Sequence, residues 1–551
     1  LRCSDCSLLK ILKLTYTRMQ QILPLVPIGL FFVVLLLVGY VVSYQANRAT
    51  SFKKEYFLGS QNLGGVVLAM TLVATYGSVS SFVSGPGVAW NLGLGWVVFA
   101  APQIITGFLI LGVVGKRMTI LAHRTESLTV IDLLFERFQS RLVALLLALM
   151  LIIFFLAMIV GQFIGGAQIF AGLTDIDYSL GLIIFALVTV LYSSGGFRAV
   201  AITDAICAIL MLTGMFILGY VIVRDGGGIE NIMATLSTVN IDEATGVSRN
   251  LEFNAGGALP LGLLFSAWIL VGFATVGLPQ SLVRCMSYKS SHELHKAMII
   301  ATVICGALMI GMTMLGVFAR AVIPDLPQGG TDAVIPTLIA HKMHPLVAGV
   351  TILGPLAATM STVSSLLIAS ASAIIRDLFK ALRPQAEAQQ GSDKSDNAIA
   401  SDNASARDNA ISDAVKPALS YHEKIIIKGT TLVMGVIAIV LALFPLDIVV
   451  WVNLFAFGGL ESAFVWPVVL GLFWRKFNTC GVLCSLAAAL GVYTACSVFK
   501  LSFLACHAIV PSLAAGLIGA LIGTYLGSAV LGQRMSRRTH DIFFPHRPWR
   551  E

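Results

Sequence analysis

Charge is what this sequence has least of. Asp, Glu, Lys and Arg make up only 12% of its 551 residues, whereas 57% are hydrophobic. A soluble domain carries about 25% charged residues. A larger soluble core does not close that gap, because a soluble surface must still be covered by polar groups. Phosphate-cradling GxxxxGK[ST] loops are missing, as are a tetrapeptide selectivity filter and a kinase-like soluble domain. Energy for any uphill process would therefore come from an ion gradient. Nine cysteines are present, but they form no disulfide framework. Cys3 and Cys6 make a CxxC without the second pair that a zinc site needs. The pairs His292/His295 and His341/His344 have no carboxylate at ligand spacing and read as surface histidines.

Apolar residues arrive instead in long blocks. About 20 of them in a row span a hydrocarbon core as one helix, with every backbone polar group satisfied internally. Thirteen such blocks lie near 22–44, 64–88, 92–114, 142–171, 178–196, 201–223, 257–282, 297–320, 346–375, 425–444, 448–473, 479–499 and 506–531. The intervening charges test this count. Lys53 and Lys54 follow the first block, Lys116, Arg117, Arg124, Arg137 and Arg141 the third, and Arg198 the fifth. Arg284, Lys289 and Lys296 follow the seventh, Arg376, Lys380 and Arg383 the ninth, and Arg475 and Lys476 the eleventh. Arg534, Arg537 and Arg538 follow the last. Even-numbered loops are short, acidic (Asp175, Asp177) or of mixed sign. Cationic loops stay cytoplasmic, so the N-terminus is expected outside and the C-terminus inside a cytoplasmic (inner) membrane.

Residues 1–18 begin without Met and read as upstream or non-native sequence. The membrane domain is expected over 19–533, with a basic cytoplasmic tail at 534–551. Within it, 384–420 is rich in Ala, Ser, Asp, Asn and Gln. It reads as a disordered cytoplasmic loop.

Two blocks are interrupted by Gly and Pro: the second at Gly77 and Gly85-Pro86-Gly87, the seventh at Gly272, Gly277 and Pro279. They lie five spans apart, hence in opposite orientation. Paired broken helices point to an inverted repeat around a midplane site. Unwound backbone from Ala74 to Gly77 would offer carbonyl oxygens to a hard monovalent cation. In the ninth block Ala358, Ser361 and Thr362 fall at i, i+3 and i+4, on one helix face. Those oxygens carry no full charge and suit Na⁺. The same residue types also line packed membrane helices simply because they allow close approach.

The stretches EYFLGS (55–60), LTVIDLLFERF (128–138), QFIGGAQ (162–168), GGFRAV (195–200), GLPQSLVR (277–284), AATMST (357–362) and NLFAFGGLESAFVWPVVLGLFW (453–474) resemble the sodium/solute symporter family from Met19 onward. LAMTLVATY, SSFVSGPG, CMSYK, RAVIPDL and FGGLE look most like its pantothenate-carrying branch. The resemblance implies an all-α protein with a five-plus-five inverted repeat, one extra helix before it and two after. It implies a monomeric, non-enzymatic, Na⁺-coupled uptake carrier that works by alternating access and uses no cofactor besides the ion. It also implies a sodium site from the carbonyls of Ala74, Gly77 and Ala358 and the hydroxyls of Ser361 and Thr362. Another solute (a monocarboxylate, proline or a sugar) and a nutrient sensor on a transporter fold stay open. The tail HRPWRE makes a fused output domain unexpected.

Polar groups inside spans are functional candidates by default. Glu461 would accept hydroxyl protons of pantothenate rather than face its carboxylate. Gln103 and Gln162 would donate and accept, and Tyr76 and Trp268 would pack on its methyl groups. A second sodium site is expected at Asp204 with Ser364 and Ser365, beside Ser361; the alternative is that Asp204 caps a helix start.

Overall fold

The computed structural model describes residues 23–48, 52–59, 62–174, 176–241, 248–378, 406–444 and 449–545. Residues 1–18 and the first part of 384–420 lie outside them. Among the described residues ten helices are long and apolar enough to cross a membrane, and two bent helix pairs qualify jointly. A further apolar helix, Tyr178–Ser193, is shorter. Together they correspond one for one to the thirteen apolar blocks.

In chain order the elements are α1 (Leu25–Asn47), the bent pair α2 (Gly65–Tyr76) and α3 (Ser80–Leu92), α4 (Leu94–Thr125), α5 (Arg141–Thr174), α6 (Tyr178–Ser193) and α7 (Phe197–Asp225). The second bent pair follows, α8 (Leu261–Gly277) and α9 (Pro279–Cys285), and then α10 (Ser291–Val322), α11 (Pro345–Leu378), α12 (Ala406–Ala442) and α13 (Val449–Phe473). Two more helices, α14 (Thr479–Val498) and α15 (Ile509–Ala529), pack on each other and on α13. Each bent pair opens a run of five spans. Helix α12 begins at Ala406, so the structureless stretch expected to reach residue 420 ends earlier. Ala, Arg, Lys and Leu within 406–420 favour helix, which then continues into the span.

The most buried spans are the least apolar ones. The two least apolar of the ten spans, Pro345–Leu378 and Trp451–Phe473, are 83% and 67% buried, whereas Leu25–Asn47 is 33% buried. Hydrocarbon solvates Leu and Val as well as a protein interior does, so small and hydroxylic residues go inside, where backbones approach closely. Helix α11 is accordingly the central post, packed against α5 and α7. Exposed Leu30, Val33 and Leu37 of α1 and Phe216 and Tyr220 of α7 face outward.

The stretch 128–138 forms a clamp. Arg137, counted above among loop charges, is 4% exposed. Its guanidinium donates to the carbonyls of Gly471 at 2.9 Å, Trp474 at 3.2 Å and Phe477 at 3.0 Å. The last carbonyls of a helix lack intrahelical partners; Arg137 serves that of Gly471 in the last turn of α13 and two more just past its end, and burial pulls its pKa down to about 9. Asp132 pairs with Arg376 at 2.9 Å, and Thr129 donates to Asp377 at 2.7 Å, fixing the end of α11.

Arg137→Ala should destabilise the folded protein by about 2–4 kcal/mol, since it strands buried carbonyls that had a charged donor. Arg137→Lys should recover only part of this, because an ammonium lacks the planar fork. Thermal unfolding in detergent reads both; an unchanged midpoint for the alanine variant contradicts the clamp.

Candidate functional site

The chain at Ala74–Ser80 cannot stay helical. Gly77 adopts extended backbone (φ −65°, ψ 126°), and the helix axis turns by 70° between α2 and α3. A break in a membrane frees backbone groups that water cannot reach, so protein must satisfy them. Gln162 of α5 does part of this: its Oε1 accepts the Val79 N–H at 2.9 Å. Helix α11 does the rest. Ser361 Oγ donates to Ala74 O at 2.8 Å and lies 3.1 Å from Ala358 O. Thr362 Oγ1 lies 2.7 Å from Gly77 O and 2.9 Å from Ala358 O. Five neutral oxygens from Ala74, Gly77, Ala358, Ser361 and Thr362 therefore meet in one buried cluster. The two hydroxyls hold the carbonyls as donors, and their lone pairs can turn to a cation in exchange.

The second bent pair turns by 52°. Gly277 packs so closely on α13 that a Cβ would lie 2.8 Å from the Val465 nitrogen, and Pro279 starts α9 where a missing N–H costs nothing. The two bent pairs are stitched together: Leu63 N–H donates to Ser287 O, and Lys289 N–H to Leu63 O, each at 3.1 Å. Tyr76 joins them again at mid-depth, its hydroxyl donating to Val271 O at 3.1 Å.

Asp204, Ser364 and Ser365 occupy the neighbourhood expected of a second ion, but a protein cation is already there. Arg284, 2% exposed, reaches Asp204 Oδ2 at 3.1 Å and Ser365 Oγ at 2.6 Å. Thr71 Oγ1 donates to the same Asp204 oxygen at 2.6 Å. Ser364 Oγ bonds back to Ser361 O at 2.9 Å. Where the sequence places a second sodium, the Asp204 carboxylate serves a guanidinium in this structure. Arg284 had been read as a loop charge, and nothing in its spacing told it from the others. Removing one partner of such a buried pair costs about 3–5 kcal/mol.

A small cavity of about 70 Å³ opens beside the first break. Of the residues put forward above for the solute, Tyr76 and Gln103 line it. Three other candidates do not. Trp268 is 52% exposed on the outer surface of the bundle; α8 twists through a π-type turn there and carries the ring outward. Gln162 lies behind the break rather than in the cavity, its Oε1 spent on Val79. Glu461 is fully buried one turn along α13 from Phe457, which does line the cavity, and neither carboxylate oxygen has a hydrogen-bond partner.

Other residues take their places. Trp96 stacks on Phe99 with centroids 4.5 Å apart, and Phe457 meets Tyr76 edge-on at 6.4 Å. These rings wall an apolar side. Ser80 Oγ and Asn453 Oδ1 are buried without partners and, with Ser78 and Ser81, give the polar side. No lining residue of this cavity is charged. Asn453 opens one of the motifs quoted above, where its polarity inside an apolar run was the available signal.

Residues 56–401 and 413–489 match the model of the Sodium:solute symporter family. The chain is 38% identical over 517 residues to the sodium/pantothenate symporter of Escherichia coli, covering 93% of this chain and 98% of that one. It is 38% identical over 488 residues to the sodium/pantothenate symporter of Haemophilus influenzae, covering 88% and 93%. Among solved structures, a Na⁺-coupled sialic acid symporter in an outward-open state superposes with a TM-score of 0.68 at 18% identity, covering 94% of this chain and 99% of that one. The nucleobase-cation symporter Mhp1 gives 0.50 at 14% identity. The inverted five-plus-five arrangement is shared with these transporters, and with the family match over most of its length the chain belongs to the sodium:solute symporter family.

Proposed function

We propose that this symporter couples inward movement of Na⁺ to uptake of pantothenate, with Na⁺ held by Ala74, Gly77, Ala358, Ser361 and Thr362. The observation that carries the reading is that five uncharged oxygens from two helices converge where α2 breaks. Hard cations take oxygen ligands, and a set without carboxylates suits a monovalent ion. Relatives at 38% identity named as sodium/pantothenate symporters supply the solute.

The cavity fits that chemistry. Its uncharged lining offers no cation to a carboxylate, but the first turn of α3 starts there at Ser80, beside Ser78 and Ser81. Half-helix N-termini favour anions. The carboxylate end would sit there, close to the bound Na⁺, with the amide and hydroxyls on Asn453, Ser80 and Gln103 and the methyl groups against Trp96, Phe99 and Phe457. Because one break serves ion and solute, each stabilises the other, and the central post α11 can move only when both are held. The end carrying the basic loops would face the cytoplasm, with the N-terminus outside.

Ser361→Ala and Thr362→Ala should each raise the Na⁺ concentration for half-maximal uptake in proteoliposomes by about tenfold, the equivalent of ~1.4 kcal/mol. If neither moves it, the ion lies elsewhere.

Asn453→Ala should raise KM for pantothenate by about tenfold while leaving the Na⁺ half-saturation at saturating solute near its original value. Pantothenate uptake equally fast without Na⁺, or none at all in the unaltered protein, overturns the reading.

A further inference from the structure

We propose that the Arg284 guanidinium is a resident cation standing in place of a second coupling sodium, so that each monoanionic solute moves with one Na⁺ and no net charge. This rests on the proposed uptake of pantothenate with Na⁺.

The guanidinium has the surroundings of a bound cation. Its Nε lies 3.2 Å from Thr71 O and 3.1 Å from Thr71 Oγ1, its Nη1 2.6 Å from Gln280 O, and its Nη2 3.1 Å from Asp204 Oδ2 and 2.6 Å from Ser365 Oγ. Five oxygens from α2, α7, α9 and α11 thus enclose one positive charge. Ser365 Oγ also lies 2.9 Å from Ser361 O and 3.1 Å from Thr75 Oγ1, which joins this shell to the five-oxygen cluster one turn away along α11.

An ordinary salt bridge would use up its carboxylate. Here Asp204 Oδ1 is buried and has no hydrogen-bond partner. The carboxylate thus keeps one oxygen without a donor while the other serves the guanidinium. A guanidinium carries its charge at neutral pH and cannot dissociate from the chain. It therefore supplies the attraction of a second ion without being transported, and Asp204 stays neutralised whichever way the carrier faces. A small cavity of about 20 Å³ lined by Arg284, Gln280 and Ser365 lies beside the guanidinium, and shortening the side chain would enlarge it to admit an ion.

The test is solute-driven current with the Na⁺ dependence of pantothenate uptake, in proteoliposomes holding the full chain. The unaltered protein should give no current at saturating solute and a Na⁺ Hill coefficient of about one. Arg284→Gln should admit Na⁺ at Asp204, raising the Hill coefficient toward two and giving one elementary charge per solute. Asp204→Asn/Arg284→Gln, which removes both charges, should return to electroneutral uptake. A purely structural ion pair would change amount or rate in these variants without moving charge per solute. One charge per solute in the unaltered protein overturns the proposal, as does Arg284→Gln uptake without current. Should Arg284→Gln not fold, the unaltered protein still decides. Absence of Na⁺-dependent uptake in the unaltered protein overturns the transport reading itself; a current overturns only the assignment of Arg284.

Discussion

Backbone polar groups that leave a helix inside a membrane must find protein partners, and the break at Gly77 shows how much of the structure answers to that requirement. Gln162 takes the Val79 N–H, and Ser361 and Thr362 hold the carbonyls of Ala74 and Gly77. Tyr76, at the last helical position before the break, ties it to the second bent pair at Val271. A continuous helix would need none of these contacts. It would also leave no carbonyl free for an ion and no helix N-terminus in the bundle for an anion.

The same requirement sets which residues are central. The hydroxyl-rich α11 is the most buried span, and its small side chains let α2, α5 and α7 come close on several sides. Its Ser361 and Thr362 serve the first break, while Ser365, one turn on, serves Arg284. Neighbouring turns of one helix thus serve the proposed ion site and the fixed guanidinium. Shifting α11 against α2 disturbs both shells together, which couples ion occupancy to the geometry of the bundle.

Much of this was legible before any coordinates. Thirteen apolar blocks and two Gly/Pro-interrupted spans depend on local composition, and each has its counterpart in the fold. The face of Ala358, Ser361 and Thr362 was legible because i, i+3 and i+4 positions coincide on any helix. Contacts between distant segments were not. Arg284 read like the other basic residues that follow a span, and only the 52° bend before α9 turns it inward to Asp204. Trp268 read as a wall of the site, yet a local π-type turn faces it outward. Asn453 and Trp96 carried signals too common in membrane helices to single them out.

The central claim is that one break binds ion and solute together, which makes their affinities reciprocal. Isothermal titration of the purified chain with pantothenate, in Na⁺ and again in choline, tests this most directly. Saturating Na⁺ should tighten pantothenate by roughly 5–150-fold, and pantothenate should tighten Na⁺ by the same factor. Equal pantothenate affinity in the two buffers would contradict it.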